Sequence, residues 1–238
     1  LYTCIINAVV GGLLLLYGRG AENKMSRRDG YCVVTLSWVF FTFFGMLPFY
    51  FSGSIDTITN AFFETMSGFT TTGATILDDI ESLSHGMLFW RSLTQWIGGL
   101  GIVFFTIAIL PIFTTGGVQL FSAESTGVTH DRTHPKINVM AKWLWTIYLV
   151  LTVSETVLLM FGGMSLFDAI CQSFATTATG GYSTKQNSIS YWNSPYIEYV
   201  VAIFMIVSSI NFSLFLMCLK GKVGRLFKDE ELHWFLAS

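Results

Sequence analysis

Two uncharged segments rich in threonine and glycine carry the residue types with the clearest chemical use in this sequence. They are Phe69–Thr75, which reads FTTTGAT, and Thr176–Thr184, which reads TTATGGYST. Backbone carbonyls and threonine hydroxyls are neutral oxygen donors that can replace the hydration shell of a cation. Glycine adds backbone conformations that a Cβ forbids, so carbonyls can turn toward a common axis. These segments favour a cation path, although threonine and glycine are also common in turns that only cap helices.

The two segments occupy matching places in an internal repeat. Each follows a short apolar run, Thr59–Phe69 or Phe167–Thr177, which is too short to cross a membrane and is typical of a re-entrant half-helix. The repeating unit is therefore helix, half-helix, Thr/Gly loop, helix. An offset of 108 residues superposes Asn60 on Asp168, Ala61 on Ala169, Glu64 on Gln172, Thr71 on Thr179 and Gly73 on Gly181.

The composition places the elements around these loops in a lipid membrane. Of the 238 residues, 52% are hydrophobic and only 12% are charged, whereas ordinary soluble domains carry about 25% charged residues. The mean hydropathy is +0.58. The net charge of -2 and the lack of a basic patch with interleaved aromatic residues give no indication of a nucleic-acid partner. The four cysteines lack the spacing of metal ligands, so we expect no transition metal.

Five apolar stretches approach the roughly 20 residues that a membrane-spanning helix needs. They predict spans over residues 1–17, 31–51, 86–113, 138–161 and 195–219. The first is short, and the sequence begins inside one apolar stretch and ends, at Ser238, on another, so we expect the chain to be cut from a longer protein.

Lysine and arginine positions orient these spans. The segments that follow the first, third and fifth spans, with Lys142 at the start of the fourth, hold 11 of the 13 basic residues. The positive-inside rule makes these segments cytoplasmic. Segments 52–85 and 162–194 hold only Lys185 and therefore face outward. Both Thr/Gly loops are predicted on the outer side, in the same orientation.

These patterns together predict an all-α membrane protein of tandem helix–pore-loop–helix repeats, as in a potassium-channel-like pore. We expect a preceding helix and loop over 1–28, a first repeat over 29–113, a cytoplasmic loop over 114–137, a second repeat over 138–220 and a cytoplasmic tail over 221–238.

The loops and their flanks also resemble a known family. Residues 62–73, FFETMSGFTTTG, and residues 89–102, FWRSLTQWIGGLGI, are similar to the first repeat of the Trk/Ktr potassium-uptake superfamily. The runs FDAI at 167–170, SFATT at 173–177 and GGYST at 180–184 resemble its second loop. The similarity covers nearly the whole chain and is greatest to the TrkH-like branch.

This resemblance implies four such repeats around one potassium path, of which the chain carries two and so should not close a pore alone. Potassium would be the substrate, with no covalently bound cofactor and no enzymatic activity. A homodimer in the bacterial plasma membrane, with a cytosolic nucleotide-binding regulatory subunit of the TrkA type, is also implied. Residue-by-residue transfer gives the potassium-binding set Thr71, Thr72, Gly73, Thr179, Gly180 and Gly181.

Four further polar residues are candidates for supporting roles. Arg91 is part of the family motif and is predicted to brace a filter loop, the alternative being a side chain that extends to the membrane surface. Glu64 and Gln172, at equivalent places in the half-helices, could hydrogen-bond the filter backbone from behind or face the outer water. Glu155 lies within the fourth span, where it could pair with a neighbouring helix, face the outer water or touch ions.

Three rival functions remain open at this point. A membrane enzyme would need a nucleophile and base at membrane depth, but the predicted spans contain no histidine. A secondary transporter with broken helices would have inverted repeats, whereas both repeats here have the same predicted orientation. A pore for sodium or another monovalent cation fits the same residues as a potassium pore.

Overall fold

The computed structural model describes residues 2–19, 27–101, 137–210, 214 and 230–237, and the regular elements among them are all helical. The predicted cytoplasmic segments 114–137 and 221–238 lie largely outside these residues. The helices are α1 (Tyr2–Gly18), α2 (Arg27–Gly45), α3 (Leu47–Phe51), α4 (Ile58–Phe69), α5 (described over 85–101), α6 (Ile137–Phe161), α7 (Leu166–Thr177), α8 (Pro195–Ser209) and α9 (Glu230–Ala237), with a 3₁₀ turn at Ser188–Trp192.

The two short helices α4 and α7 match the predicted half-helices and begin in the same way. The hydroxyl of Thr57 accepts from the backbone N–H of Asn60 at 3.3 Å, and that of Ser165 accepts from Asp168 N–H at 3.1 Å. Each cap satisfies an N–H group that a first helical turn leaves free. The internal repeat therefore extends to the capping residues.

The longer helices follow the predicted spans with two breaks. Residues Tyr31–Phe51 and Lys142–Phe161 are long and apolar enough to cross a membrane, and Tyr2–Gly18 and Pro195–Ser209 are shorter apolar helices. Helix α2 ends before Met46, and α3 restarts with Pro48 in its first turn, where the missing N–H of proline is tolerated.

The predicted ends of the third and fifth spans lie outside the described residues, and the fifth span also contains a break. Helix α8 is interrupted after Ser209, where Ile210 adopts an extended conformation with ψ at 140°. The remainder of the predicted span, to residue 219, lies largely outside the described residues. An apolar run does not reveal such a break, since it fits either conformation. The predicted continuation of α5 to residue 113 lies outside the described residues.

Helix α5 packs against the ends of both half-helices through adjacent glycines. A Cβ on Gly98 would overlap the Phe69 carbonyl oxygen at the end of α4. A Cβ on Gly99 would lie 3.1 Å from the Cα of Ala178, directly after α7. Close approach of this kind requires residues without side chains. Helix α5 therefore positions both Thr/Gly loops at once.

Candidate functional site

The two Thr/Gly loops share one backbone conformation. Thr71 and Thr179 both have φ at 53°, and two residues further on Gly73 and Gly181 have φ at 77° and 82°. Left-handed backbone is accessible to glycine but is a true outlier for a β-branched residue. Threonine in this conformation persists only when surrounding contacts enforce it, and such strain concentrates at functional sites.

Both half-helices end in the same hydrogen-bonded motif. At the end of α4, Thr71 N–H donates to the Gly68 carbonyl and Thr72 N–H to the Ser67 carbonyl, each at 3.0 Å. After α7, Thr179 and Gly180 donate in the same pattern, at 2.9 and 2.8 Å. This is a Schellman motif with threonine where glycine is usual. It turns the chain sharply out of the helix and into the loop.

Glu64 holds the first loop from behind and is buried, with 1% of its surface exposed. Its carboxylate accepts from the Thr75 hydroxyl at 2.9 Å and from the Ile76 backbone N–H at 3.0 Å. It also accepts from Arg91 Nε at 2.8 Å, forming an ion pair with almost no solvent contact. Glu64 therefore faces the protein interior and not the outer water.

Arg91 connects the two loops from α5. Besides its bond to Glu64, its Nη1 donates to the Ser183 carbonyl at 3.0 Å, and its guanidinium lies 3.6 Å above the centre of the Tyr182 ring. A cation over an aromatic face is attracted to the ring electrons. The side chain is 2% exposed, so the alternative of a side chain that extends to the membrane surface was wrong. These contacts are those that bracing requires.

Gln95, one turn after Arg91, fixes the second loop at two backbone groups. Its Nε2 donates to the Gly180 carbonyl at 2.8 Å, and its Oε1 accepts from Tyr182 N–H at 3.1 Å. A Cβ on Gly180 would lie 2.5 Å from that same Oε1. The Gly180 carbonyl oxygen therefore already accepts a hydrogen bond from Gln95. Gly180 is among the residues predicted to bind potassium, a role for which this oxygen is only partly free.

The glycines of the two loops have different surroundings. A Cβ on Gly73 would overlap the carbonyl oxygen of Gly180, whereas a Cβ on Gly181 would meet no atom within 4 Å. The first loop therefore lies directly against the second, and the exposed side of Gly181 faces open space. Of the remaining candidates, Thr72 and Thr179 are exposed and Thr71 is half-buried.

Gln172 does not reproduce the contacts of its counterpart Glu64. Its Nε2 reaches the Thr176 hydroxyl at 3.4 Å, and its Oε1 has no hydrogen-bond partner among the described residues. The second loop is held instead by Arg91 and Gln95 from the first repeat. The predicted equivalence of Glu64 and Gln172 thus extends to position but not to contacts.

Tyr182, like Gln95, is a supporting residue that the sequence analysis did not single out. Its hydroxyl donates to the Glu64 backbone carbonyl at 2.8 Å, which ties the second loop to the first half-helix. The ring is buried, with 2% exposed. Its place directly after Gly181 was visible in the sequence, but nothing in the spacing indicated which helix it would reach.

The outer segments of the two repeats also interlock. Lys185 Nζ lies 3.3 Å from the Glu81 carboxylate, and the Ile80 N–H donates to the Gln186 side-chain oxygen at 3.0 Å. Desolvation is the largest single effect and lowers the pKa of Lys185, but the hydrogen bond and charge of Glu81, with smaller contributions from Tyr191 and Asp168, together raise the pKa above its ordinary value. This exposed pair lies at the protein surface, where ion pairs contribute little to stability.

Comparison with known proteins shows which family the chain belongs to. The family model described as "TrkH: Cation transport protein" matches residues 1–236. The chain belongs to the TrkH family. It is 43% identical over 237 residues to the Trk system potassium uptake protein TrkH of Escherichia coli K12, covering 98% of this chain and 49% of that protein.

Other TrkH-family relatives match this chain over a similar share of its length. Identity is 38% to TrkH of Halomonas elongata, covering 97% of this chain and 48% of the relative. The crystal structure of the potassium transporter TrkH from Vibrio parahaemolyticus superposes with a TM-score of 0.85 at 34% identity, over 99% of this chain and 48% of that one. The chain thus spans about half the length of the relatives it matches.

Membership of the TrkH family confirms the sequence-based predictions of family and of an all-α fold. The family model that matches is described as a cation transport protein.

Proposed function

We propose that this chain supplies two of the loops that line a potassium path across a bacterial plasma membrane. The observation that carries the proposal is the shared conformation of the loops, with left-handed residues at Thr71 and Gly73 and again at Thr179 and Gly181. A strained threonine at the same position of both loops indicates that the two loops have the same function.

The loops offer a cation neutral oxygens in a favourable field. No formal charge lies within residues 69–75 or 176–184, so a cation is not trapped by a carboxylate. Helices α4 and α7 end directly before the loops, and the C-terminal end of a helix carries partial negative charge. Potassium would exchange its water for backbone carbonyls and threonine hydroxyls of the potassium-binding set. Of that set, the Gly180 carbonyl would contribute least, since Gln95 occupies it.

The support network would fix the loop dimensions that selectivity needs. Arg91, Gln95 and Tyr182 hold the second loop, and Glu64 holds the first. The three side chains that cross between repeats are all buried. Glu64 and Arg91 act in this proposal as positioning residues that hold the loops without touching the ion.

Assembly and location follow the relatives. Those compared are named as uptake proteins of a Trk system, which supports operation with other subunits. We extend this to a homodimer in the bacterial plasma membrane and to a cytosolic nucleotide-binding regulatory subunit of the TrkA type, facing the basic inner segments.

The test uses the full-length protein in a bacterium deficient in potassium uptake. Gly181→Ser is the informative variant because a side chain at this position meets no atom within 4 Å, so that the left-handed backbone conformation, with φ at 82°, is the only source of strain. We expect wild-type protein to restore growth at limiting potassium, and the variant to lose at least tenfold of its preference for rubidium over sodium. Gly73→Ser should also fail, but through overlap with Gly180.

Gly53→Ser is the matched control, since Gly53 has φ at 69° in an exposed turn with no neighbour within 4 Å. It carries similar backbone strain outside the loops and should keep wild-type selectivity. Unchanged selectivity in Gly181→Ser, with normal protein in the membrane, would reduce the loops to turns. If the wild-type protein prefers sodium to rubidium, the proposed substrate is sodium and not potassium.

A further inference from the structure

A buried carboxyl group outside the loop network has no hydrogen-bond partner among the described residues. Glu155 lies in α6 and has no exposed surface. Neither of its carboxyl oxygens forms a hydrogen bond to any described residue. Burial of an unpaired carboxylate costs several kcal/mol even after relaxation, so the environment of this group sets which form it takes.

The hydroxyl groups near Glu155 are mostly unable to donate to it. The carboxyl lies beside the Thr176 and Thr177 hydroxyls of α7. Thr176 donates its single proton to the Gln172 carbonyl at 3.0 Å. On α6, Thr152 donates to the Tyr148 carbonyl at 2.9 Å and accepts from Trp96 Nε1 at 3.0 Å. Thr176 and Thr152 therefore present lone pairs, which repel a carboxylate but accept from a carboxylic acid. The Thr177 hydroxyl, which lies 3.4 Å from that of Thr152, is the one neighbour among these whose proton is not committed to another described group.

No described positive charge compensates Glu155. Helix α6 packs against α7 and α8 and contacts α5 through Trp96. The ion pairs among the described residues join Arg91 to Glu64 and Lys185 to Glu81, and neither involves Glu155. The titratable or charged groups that these helices carry are His85 and Arg91 on α5, Lys142 and Tyr148 on α6 itself, Asp168 and Cys171 on α7, and Tyr196, Glu198 and Tyr199 on α8.

The neighbouring helix end further opposes a negative charge. Thr176 and Thr177 form the last turn of α7, where the helix dipole places partial negative charge. Glu64 differs in each respect, since it accepts three donors that include a guanidinium.

We propose that Glu155 is a proton-binding site. The folded protein holds it as a neutral carboxylic acid whose single O–H can donate to a threonine hydroxyl at the end of α7. The first loop is thus held by the carboxylate of Glu64 on α4, whereas the end of α7 is contacted by the protonated carboxyl of Glu155 on α6.

Infrared absorption of the full-length protein in an ester-free detergent at neutral pH tests this. Wild-type protein should show a C=O stretch of a protonated carboxyl that moves to lower frequency in D₂O, and Glu155→Gln should remove it. Glu198→Gln, on the exposed side of α8, is the matched control and should leave the band unchanged. A band that survives in Glu155→Gln, or is absent from wild type, overturns the proposal.

Rubidium influx is a second test of the proposal that Glu155 is protonated. Glu155→Gln keeps the shape and neutrality of the acid, so rubidium influx should stay within about twofold of wild type. A tenfold loss with normal membrane levels would show that negative charge is required and would overturn the proposal. The infrared result does not depend on which ion is carried, so it is independent of the potassium path.

Discussion

At the scale of single residues, the same chemical group acquires different roles from its neighbours. Glu64 is paired with Arg91 and also accepts from Thr75 and Ile76, which makes its charge part of the architecture. Breaking a buried pair by removing one partner typically costs about 3–5 kcal/mol. An exposed pair such as Lys185–Glu81 contributes at most about 1 kcal/mol.

We therefore expect Arg91→Lys to be far more harmful than its conservative character suggests. Lysine has one ammonium group and cannot reach both the Glu64 carboxylate and the Ser183 carbonyl in the forked geometry of arginine. Rubidium influx should fall at least tenfold, and the thermal unfolding midpoint of the full-length protein should drop by several degrees.

Lys185→Ala is the control at this scale, because it removes the exposed ion pair. Its midpoint and influx should match wild type within error. If Arg91→Lys behaves like Lys185→Ala, the network between the loops has no positioning role.

At the scale of elements, α5 is the shared support of both repeats. Its glycines allow the helix backbone to approach the ends of α4 and α7 closely, while Arg91 and Gln95 extend from the same helix to the second loop. A displacement of α5 would therefore move both loops together.

Gly98→Ala tests this arrangement with the smallest possible side chain. The added Cβ would overlap the Phe69 carbonyl oxygen, and backbone cannot yield as a flexible side chain can. We expect a loss of folded protein or of ion selectivity. Gly101→Ala in the same helix meets only a ring atom of Trp38 at 3.5 Å, an ordinary contact, and should retain wild-type yield and influx. Equal tolerance of both changes would refute the close packing.

At the scale of the whole molecule, the two repeats form one interlocked unit. The second loop bonds to the first repeat through Tyr182, Gln95 and Arg91. The loops themselves meet where Gly73 approaches Gly180. Neither loop is positioned by its own repeat alone.

A double-mutant cycle between Tyr182→Phe and Gln95→Leu measures this interlock. Each change removes hydrogen bonds between the second loop and the first repeat, so each should lower the unfolding free energy by about 1 kcal/mol or more. Because both act on one short segment, we expect a coupling energy of at least about 0.5 kcal/mol, measured by denaturant unfolding. Strict additivity would mean that the contacts are independent.

The sequence by itself determined the helical membrane character, the offset between the repeats and the bounds of both half-helices. These follow from composition, hydrophobic length and local capping, which act within a few residues of the chain. Only the tertiary structure decided that Arg91 reaches Ser183, that Tyr182 reaches Glu64 and that Gln172 does not imitate Glu64. Such contacts depend on how distant helices pack, and a residue type does not encode the direction or partner of its side chain.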